Sequence, residues 1–98
     1  MSIRSFKDAG TKDIANGIHS KAARARLPEA LHDTAYRKLI FLDNAVSLQD
    51  LVNWKGLRLE KLKGRRKEQH SIRINKQYRI CFVWEGADAV DVEIVDYH

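Results

Sequence analysis

The sequence lacks the features that mark secreted and membrane proteins. Cys81 is its only cysteine, so no disulfide can form within the chain and a reducing compartment is indicated. No apolar run approaches the roughly 18 residues of a membrane span. The first residues, Met1 to Phe6, lack the apolar stretch of a secretory signal. These absences predict a cytoplasmic protein that makes no use of a membrane.

The chain is also poor in the residues that interrupt regular structure, with one proline and five glycines among 98 residues. It has no internal repeat, low-complexity segment or linker. The hydrophobic share of 44% and the charged share of 32% fit a folded chain rather than a disordered one. Residues 1–98 are therefore predicted to form a single domain, one sheet covered by a few helices.

Acidic residues are scarce between Lys55 and Arg79 and concentrated after that segment. From Lys55 to Arg79 there are ten lysines and arginines against two glutamates, whereas residues 85–98 hold five acids and no lysine or arginine. The net charge is +5. A basic run of this kind is either a solvated face or a site for a polyanion, and its density favours nucleic acid.

Helical periodicity is confined to the first half of the chain. From Pro28 to Ala45 apolar residues recur every three or four positions, which predicts an amphipathic helix with proline in its first turn. The predicted buried stripe comprises Leu31, Ala35, Leu39, Leu42 and Val46, widened by Tyr36, Ile40 and Phe41.

Two shorter helices are predicted on either side of this one. The first begins at a cap at Thr11 or Asp13 and ends near Asn16. The second spans 48–53, where Ser47 and Asp50 resemble a capping box. Residues 18–27 are predicted to be loop or frayed helix.

After Gly56 the pattern changes to that of strands. Strands are predicted at 57–62, 70–74, 78–84 and 89–97, with a further short candidate at 3–6. Short turns join the last three strands, which is typical of an antiparallel meander. The predicted fold class is α+β, a small antiparallel sheet with two to three helices packed on one face.

The alternation of side chains along these strands sorts them between the two faces of the sheet. Val90, Val92 and Ile94 are predicted to face the helices. Arg73, Arg79 and Tyr97 then share the open face. A purely structural role is the ordinary explanation for each of them. The two arginines would pair across strands with Asp91 or Glu93, and Tyr97 would be an aromatic residue that shields the edge of the sheet.

An acid, a phenol and an imidazole, Asp96-Tyr97-His98, end the chain beside this basic region. Histidine exchanges protons near neutrality, and lysine and arginine bind phosphodiesters and stabilise their transition states. His98 follows the strand, so alternation does not fix its direction, and disorder is its ordinary alternative. Cys81 is expected to be a packed strand residue. Together these residue types predict a small metal-free ribonuclease, since no spacing of metal ligands is present.

Several segments resemble one protein family. The stretch 58–64, then Ser71-Ile72-Arg73-Ile74-Asn75, then Tyr78-Arg79-Ile80, and the ending Asp96-Tyr97-His98 are similar to the HigB toxins of the RelE/ParE toxin–antitoxin superfamily. The resemblance implies a RelE-like fold, similar to microbial ribonucleases, and cleavage of messenger RNA on the ribosome. It also implies a helix-turn-helix antitoxin of the HigA type, which binds the toxin and carries the contact with operator DNA.

The resemblance also assigns roles to residues, and it implies no cofactor. The catalytic set that it implies is Lys63, Arg73, Asp96, Tyr97 and His98. The residues expected to bind RNA are Lys61, Arg65, Arg66, Lys67 and Arg79. The expected reaction is attack of the RNA 2′-OH on the adjacent phosphate, which leaves a 2′,3′-cyclic phosphate and a 5′-OH.

Three alternatives stay open at this level. A ParE-like toxin shares the fold but inhibits DNA gyrase, although such chains generally lack the terminal Tyr97-His98 pair. A non-catalytic nucleic-acid-binding module explains the basic run but gives no reason for Asp96 beside it. A degenerate toxin would have lost a matched position, and none is lost. The free toxin is expected to be a monomer, because no long apolar surface stripe remains after the fold is assembled.

Overall fold

Four short helices precede a four-stranded antiparallel sheet in residues 2–97, the part of the chain that this computed structural model describes. No helix in this range is long and apolar enough to span a bilayer. The helices are α1 (Ala9–Ala15), α2 (Lys21–Arg26), α3 (His32–Asn44) and α4 (Leu48–Asn53). The strands are β1 (Glu60–Lys61), β2 (Gln69–Arg73), β3 (Tyr78–Glu85) and β4 (Asp88–Asp96).

The strands follow one another in space as they do in sequence, in the order β1-β2-β3-β4. Each pairs antiparallel with the next, which confirms the predicted meander and the α+β class. The first strand is shorter than predicted, because only Glu60 and Lys61 pair with β2. Arg58 just before them has a left-handed backbone (φ 48°), which delays the start of the ladder.

The N-terminal segment lies along the outer edge of β4. Ile3 and Phe6 form isolated parallel bridges with Ala89 and Val92 rather than the predicted strand. The segment between them stays close to β4, since Ser5 accepts hydrogen bonds from the amides of Val92 and Asp91 at 3.0 and 2.9 Å. It therefore covers the edge that β4 would otherwise present to solvent.

The three predicted helices are present as α1, α3 and α4, but several of the predicted boundaries were wrong. The first helix starts earlier, because Asp8 caps it by accepting a hydrogen bond from the Thr11 amide at 2.7 Å. Residues 18–27 contain a true helix, α2, capped by the Ser20 side chain. The helix predicted from Pro28 begins with a separate 3₁₀ turn at Glu29–Leu31. The helix predicted at 48–53 is confirmed, with Ser47 as its N-cap.

All four helices lie on one side of the sheet or at its β4 edge, and the core fills the space between helices and sheet. Ile72, Ile80 and Phe82 from the sheet are fully buried there. Leu39, Leu42, Leu51 and Leu57 close the core from the helical side. The predicted stripe of α3 was too wide, since Tyr36 and Ile40 are each 39% exposed and Val46 is 73% exposed.

A β-bulge in β4 reverses one predicted assignment of faces. Cys81 pairs with Glu93 but Val83 pairs with Val90, so β4 carries one extra residue between these pairs. Asp91 absorbs it with a positive φ of 54°. The alternation therefore shifts at this point, and Val90 falls on the open face with Val83 while Ala89 is buried in the core. The prediction that Val90 faces the helices was wrong.

Gly10 generates a prediction about stability, because α1 and α2 meet at its backbone. A Cβ atom added at Gly10 would lie 2.5 Å from the carbonyl oxygen of Ala22. Substitution Gly10→Ala should therefore lower the free energy of unfolding by about 1–3 kcal/mol, despite the better helix propensity of alanine. Urea denaturation followed by circular dichroism would measure this. The exposed neighbour serves as control: Ala9→Ser should change stability little, and an unchanged Gly10→Ala variant would contradict the close approach.

Candidate active site on the open face of the sheet

The open face of the sheet carries the two arginines and the tyrosine that alternation predicted there. Arg73 pairs directly with Arg79 across β2 and β3, and Arg79 pairs with Val95 across β3 and β4. The Tyr97 amide donates to the Gln77 carbonyl at 2.6 Å, which extends this ladder by one residue. Because directly opposite residues in an antiparallel pair point to the same side, Arg73, Arg79 and Tyr97 share one face.

Arg79 is held in place by the sheet around it. Its Nε donates to the Ser71 hydroxyl at 2.6 Å, and one terminal nitrogen donates to the Arg58 carbonyl at 2.7 Å. The same nitrogen lies 3.9 Å from the Glu60 carboxylate, and the Arg79 side chain is only 12% exposed. The Arg79 side chain therefore ties β3 to Arg58 and Glu60 at the start of β1. Few of its N–H donors remain for a ligand. The ordinary explanation that it pairs with Asp91 or Glu93 was wrong.

Arg73 has a different environment. Its guanidinium makes no hydrogen bond or ion pair with any residue in the range 2–97. Behind it, the Lys38 ammonium donates to the carbonyls of Arg73 and Ile74 at 2.6 and 3.2 Å. A guanidinium on a clamped backbone, with its donors unused, is suited to bind an anion.

Lys38 was missed by sequence reasoning, which counted it only as part of an amphipathic helix. Burial lowers the pKa of Lys38, and the positive charges of Arg73 and Arg79 lower it further. The three cations therefore form one electropositive cluster. No sequence pattern signals this contact, because α3 and β2 are brought together only by the packing of the core.

The end of β1 and its connection to β2, residues 61–68, present most of the remaining cations and are called the basic turn below. Gly64 opens it with a positive φ of 67°, and the short 3₁₀ turn Gly64–Arg66 follows. The exposed side chains here make no hydrogen bond or ion pair within residues 2–97; they are Lys61, Lys63, Arg65 and Lys67. Lys63 lies at the opposite end of β2 from Arg73, about 13 Å along the strand at the usual rise per residue.

Arg66 belongs to the same turn but is engaged with Glu93. One terminal nitrogen of Arg66 donates to Gln69 and to the Glu93 carboxylate, both at 2.9 Å. The hydrogen bond to Glu93 is the main reason that the pKa of Arg66 is raised, with a smaller contribution from Tyr97. Arg66 is therefore a fixed part of the open face, unlike its exposed neighbours.

Glu93 is a buried carboxylate surrounded by cations. Its side chain is 9% exposed, and its oxygens lie 2.9 Å from Arg66, 3.3 Å from Arg26 and 3.7 Å from Lys7. Arg26 also contacts Asp8 at 3.2 Å. The carboxylate thus joins the N-terminal segment, α2 and the basic turn to β4. Sequence reasoning assigned Glu93 to the arginines of β2 and β3, because the folding of α2 onto the sheet edge could not be foreseen.

The terminal residues divide between the two faces. Tyr97 is 41% exposed on the open face. Asp96 pairs with Tyr78, a core-packed residue, so its position alternates to the helical face. The Asp96 carboxylate accepts a hydrogen bond from the side-chain amide of Gln77 at 3.1 Å. His98 lies outside the described residues.

Other candidate groups lie away from this face or deep within it. Cys81 is fully buried, and burial raises the pKa of its thiol, which fits the expected packed strand residue. His19 and His32 stack on each other with Nδ1 atoms 2.8 Å apart, and the buried ring of His32 also contacts the Leu27 carbonyl. Within residues 2–97 no three His, Cys, Asp or Glu side chains cluster as a metal site would require.

Comparison with known proteins gives a consistent picture. The family model described as the RelE-like toxin HigB of type II toxin–antitoxin systems matches residues 4–98. The chain is also 43% identical over 65 residues to a curated protein named Toxin HigB-1 from Vibrio cholerae serotype O1. This alignment covers 66% of the present chain and 68% of the relative.

The carboxylate of Glu93 generates a prediction about stability. Substitution Glu93→Gln keeps the size of the side chain but leaves its basic neighbours without their shared acid. We expect the free energy of unfolding to fall by about 2–3 kcal/mol, less than for a fully buried pair because those neighbours are partly exposed. Chemical denaturation would measure it. Glu60→Gln, at an acid that is 57% exposed, is the matched control and should cost far less. Equal effects of the two substitutions would contradict the special role of Glu93.

His70 generates a prediction about pH. Burial lowers its pKa, and Lys61 lowers it further. The unfolded chain therefore binds this proton more readily than the folded one, so stability should fall as pH drops below about 6.5, the ordinary histidine value. In His70→Gln this part of the acid sensitivity should disappear. Denaturation midpoints of the wild type and His70→Gln at pH 7.5 and 5.0 would test it. An identical loss of stability in the two proteins would exclude His70 as a cause of the acid sensitivity.

Proposed function

Because the chain belongs to the RelE-like HigB toxins of type II toxin–antitoxin systems, we propose that it inhibits translation as a ribosome-dependent messenger-RNA endoribonuclease. One observation carries the proposal: the guanidinium of Arg73, which has no hydrogen-bond or ion-pair partner among residues 2–97, lies on the sheet face that also holds Tyr97. A phosphodiester requires such donors both for binding and for stabilisation of its transition state.

The exposed cations of the basic turn are proposed to hold the RNA backbone. Lys61, Arg65 and Lys67 have free donors within the described range, and each phosphate that they neutralise releases bound counterions. Arg66 and Arg79 were expected to contact RNA as well. Since their side chains are held by Glu93 and by Ser71, their proposed role is to shape the surface and add fixed positive charge.

The proposed reaction needs no metal ion. The 2′-OH attacks the adjacent phosphorus, the bond to the 5′ oxygen breaks, and the products carry a 2′,3′-cyclic phosphate and a 5′-OH. Arg73 would stabilise the additional negative charge of the five-coordinate transition state. Lys63 is proposed to assist from the far end of β2. Because of that separation, its loss should show whether it acts on the reacting phosphate, which lowers kcat, or on a flanking one, which raises KM.

Two protons must move during this reaction, one from the 2′-OH and one to the 5′ oxygen. His98 is proposed as the acid, because its ordinary pKa lies near neutrality. Asp96, whose position alternates to the helical face, is proposed to orient the imidazole or to serve as base from the end of β4. Tyr97, exposed beside the arginines, would position the 2′-OH or stack on a base.

The toxin has an antitoxin partner, as type II systems require. We propose that this partner is a helix-turn-helix protein of the HigA type and that operator DNA is bound only through it. The proposed site of action is the ribosome with its messenger RNA, which places the toxin in the cytoplasm. The free toxin is proposed to be a monomer.

A cleavage assay on a translated message tests the proposal. Primer extension in a cell-free system should reveal cuts by the wild type only when ribosomes are present. Arg73→Ala and His98→Ala should each reduce the cleavage rate, with a loss on the order of 10²–10³ for Arg73, comparable to removal of a transition-state donor elsewhere. Lys12→Ala, which removes an exposed cation from α1, is the matched control and should cleave normally.

Two results would contradict the proposal in different ways. Products that end in a 3′-OH and a 5′-phosphate would rule out attack by the 2′-OH while leaving a nuclease in place. Absence of cuts by folded wild-type protein would instead favour a gyrase inhibitor or a binding module. A DNA supercoiling assay with gyrase would then separate those two.

A further inference from the structure

A cleft opens on the helical side of the molecule, between α3 and the segment that contains α4. Its volume is about 370 Å³. One wall is a stripe along α3, formed by Arg37, Ile40, Phe41 and Asn44. Trp54, just after α4, forms the other wall and contacts the Phe41 ring with centroids 4.2 Å apart. The aromatic rings of Phe41 and Trp54 therefore form part of the lining of the cleft.

Apolar side chains are exposed at this cleft and in the sequence next to its lining residues. Ile40 is 39% exposed and Trp54 is 40% exposed. Val46, which follows the lining residue Ala45, is 73% exposed, and Val52, which precedes the lining residue Asn53, is 52% exposed. Exposed apolar residues grouped around a concavity mark a binding site for a partner surface. The expectation that no long apolar surface stripe remains after the fold is assembled therefore has to allow for this exposed group.

The polar groups around the cleft indicate the charge of that partner. Asp50, the acid that lines it, accepts a hydrogen bond from the Val46 amide at 2.9 Å. Asn53 accepts one from Gln49 at 2.9 Å, and Asn44 donates to the Ile40 carbonyl at 3.0 Å. Arg37 alone among the charged lining residues makes no hydrogen bond or ion pair with residues 2–97. A complementary partner thus presents an apolar side chain with a carboxylate beside it.

We propose that this cleft is the docking site of the antitoxin, which inserts an apolar side chain between Ile40 and Trp54 and pairs a carboxylate with Arg37. A protein occupant follows from the apolar lining, since RNA would bring phosphates to it. Titration with the antitoxin, together with the oligomeric state of the free toxin, distinguishes this occupant from a second copy of the toxin. The inference rests on membership of a type II system and not on the proposed nuclease chemistry.

The position of the cleft has a consequence for the complex. Its α3 wall packs on the core face of the sheet, whereas Arg73 and Tyr97 lie on the opposite face. An antitoxin seated in the cleft would leave the open face uncovered by this contact. Binding at the cleft and binding at the basic face are therefore separable by substitution.

Calorimetric titration of the toxin with the antitoxin encoded beside it tests the proposal. Ile40→Glu should weaken binding by at least about 30-fold, as expected for a central apolar anchor. Arg37→Glu should also weaken it and reduce its dependence on salt. Ile18→Glu is the matched control, since Ile18 is 50% exposed but lies outside the cleft. The affinity of this variant for the antitoxin should stay within about threefold of the wild-type value. Circular dichroism would establish that each variant is folded, and Trp54→Ala replaces Ile40→Glu if that protein does not fold.

Other outcomes would overturn the proposal. Wild-type affinity in a folded Ile40→Glu variant would exclude the cleft as the antitoxin site. Loss of binding on Arg65→Glu, with Ile40→Glu unaffected, would place the antitoxin on the basic face instead. A wild-type toxin that is dimeric alone, and that Ile40→Glu converts to a monomer without weakening the antitoxin, would assign the cleft to self-association.

Discussion

The buried carboxylate of Glu93 is the interaction on which the arrangement of the open face depends. It lies on β4, yet its partners come from the N-terminal segment, α2 and the turn before β2. A single acid therefore sets the position of three separate parts of a basic protein. Because a buried charge without partners is costly, these parts are held together more firmly than their exposed positions would suggest.

This anchoring divides the cations of the open face into two groups. Arg66 and Arg79 are bound to protein acceptors and are part of the framework. Arg73 and the lysines of the basic turn keep their donors free within the described range. The fixed group supplies a field that does not reorganise, and the free group supplies hydrogen bonds to a ligand. Such a combination suits a site that must stabilise phosphate charge without a metal ion.

The two sides of the sheet differ in chemical character. The open face is charged and carries Arg73 and Tyr97, which are proposed to act on RNA, while the helical side ends in an apolar cleft suited to a protein. The Asp91 bulge contributes to this division, since it shifts the alternation within β4 and places Val90 on the open face, while Glu93 lies on that face opposite Cys81. Partner binding and chemistry can therefore reside on one small domain without sharing a surface.

The sequence by itself determined the strand order, the α+β class and the shared face of Arg73, Arg79 and Tyr97, because short turns dictate a meander and alternation has a fixed period of two. It did not determine the side of Val90, since a bulge leaves no mark in a hydrophobic pattern. Only the tertiary structure decided that Glu93 binds Arg66 and Arg26, that Lys38 supports Arg73, and that Ile40 stays exposed. These contacts join residues that are distant along the chain, and their formation depends on how the helices pack against the sheet.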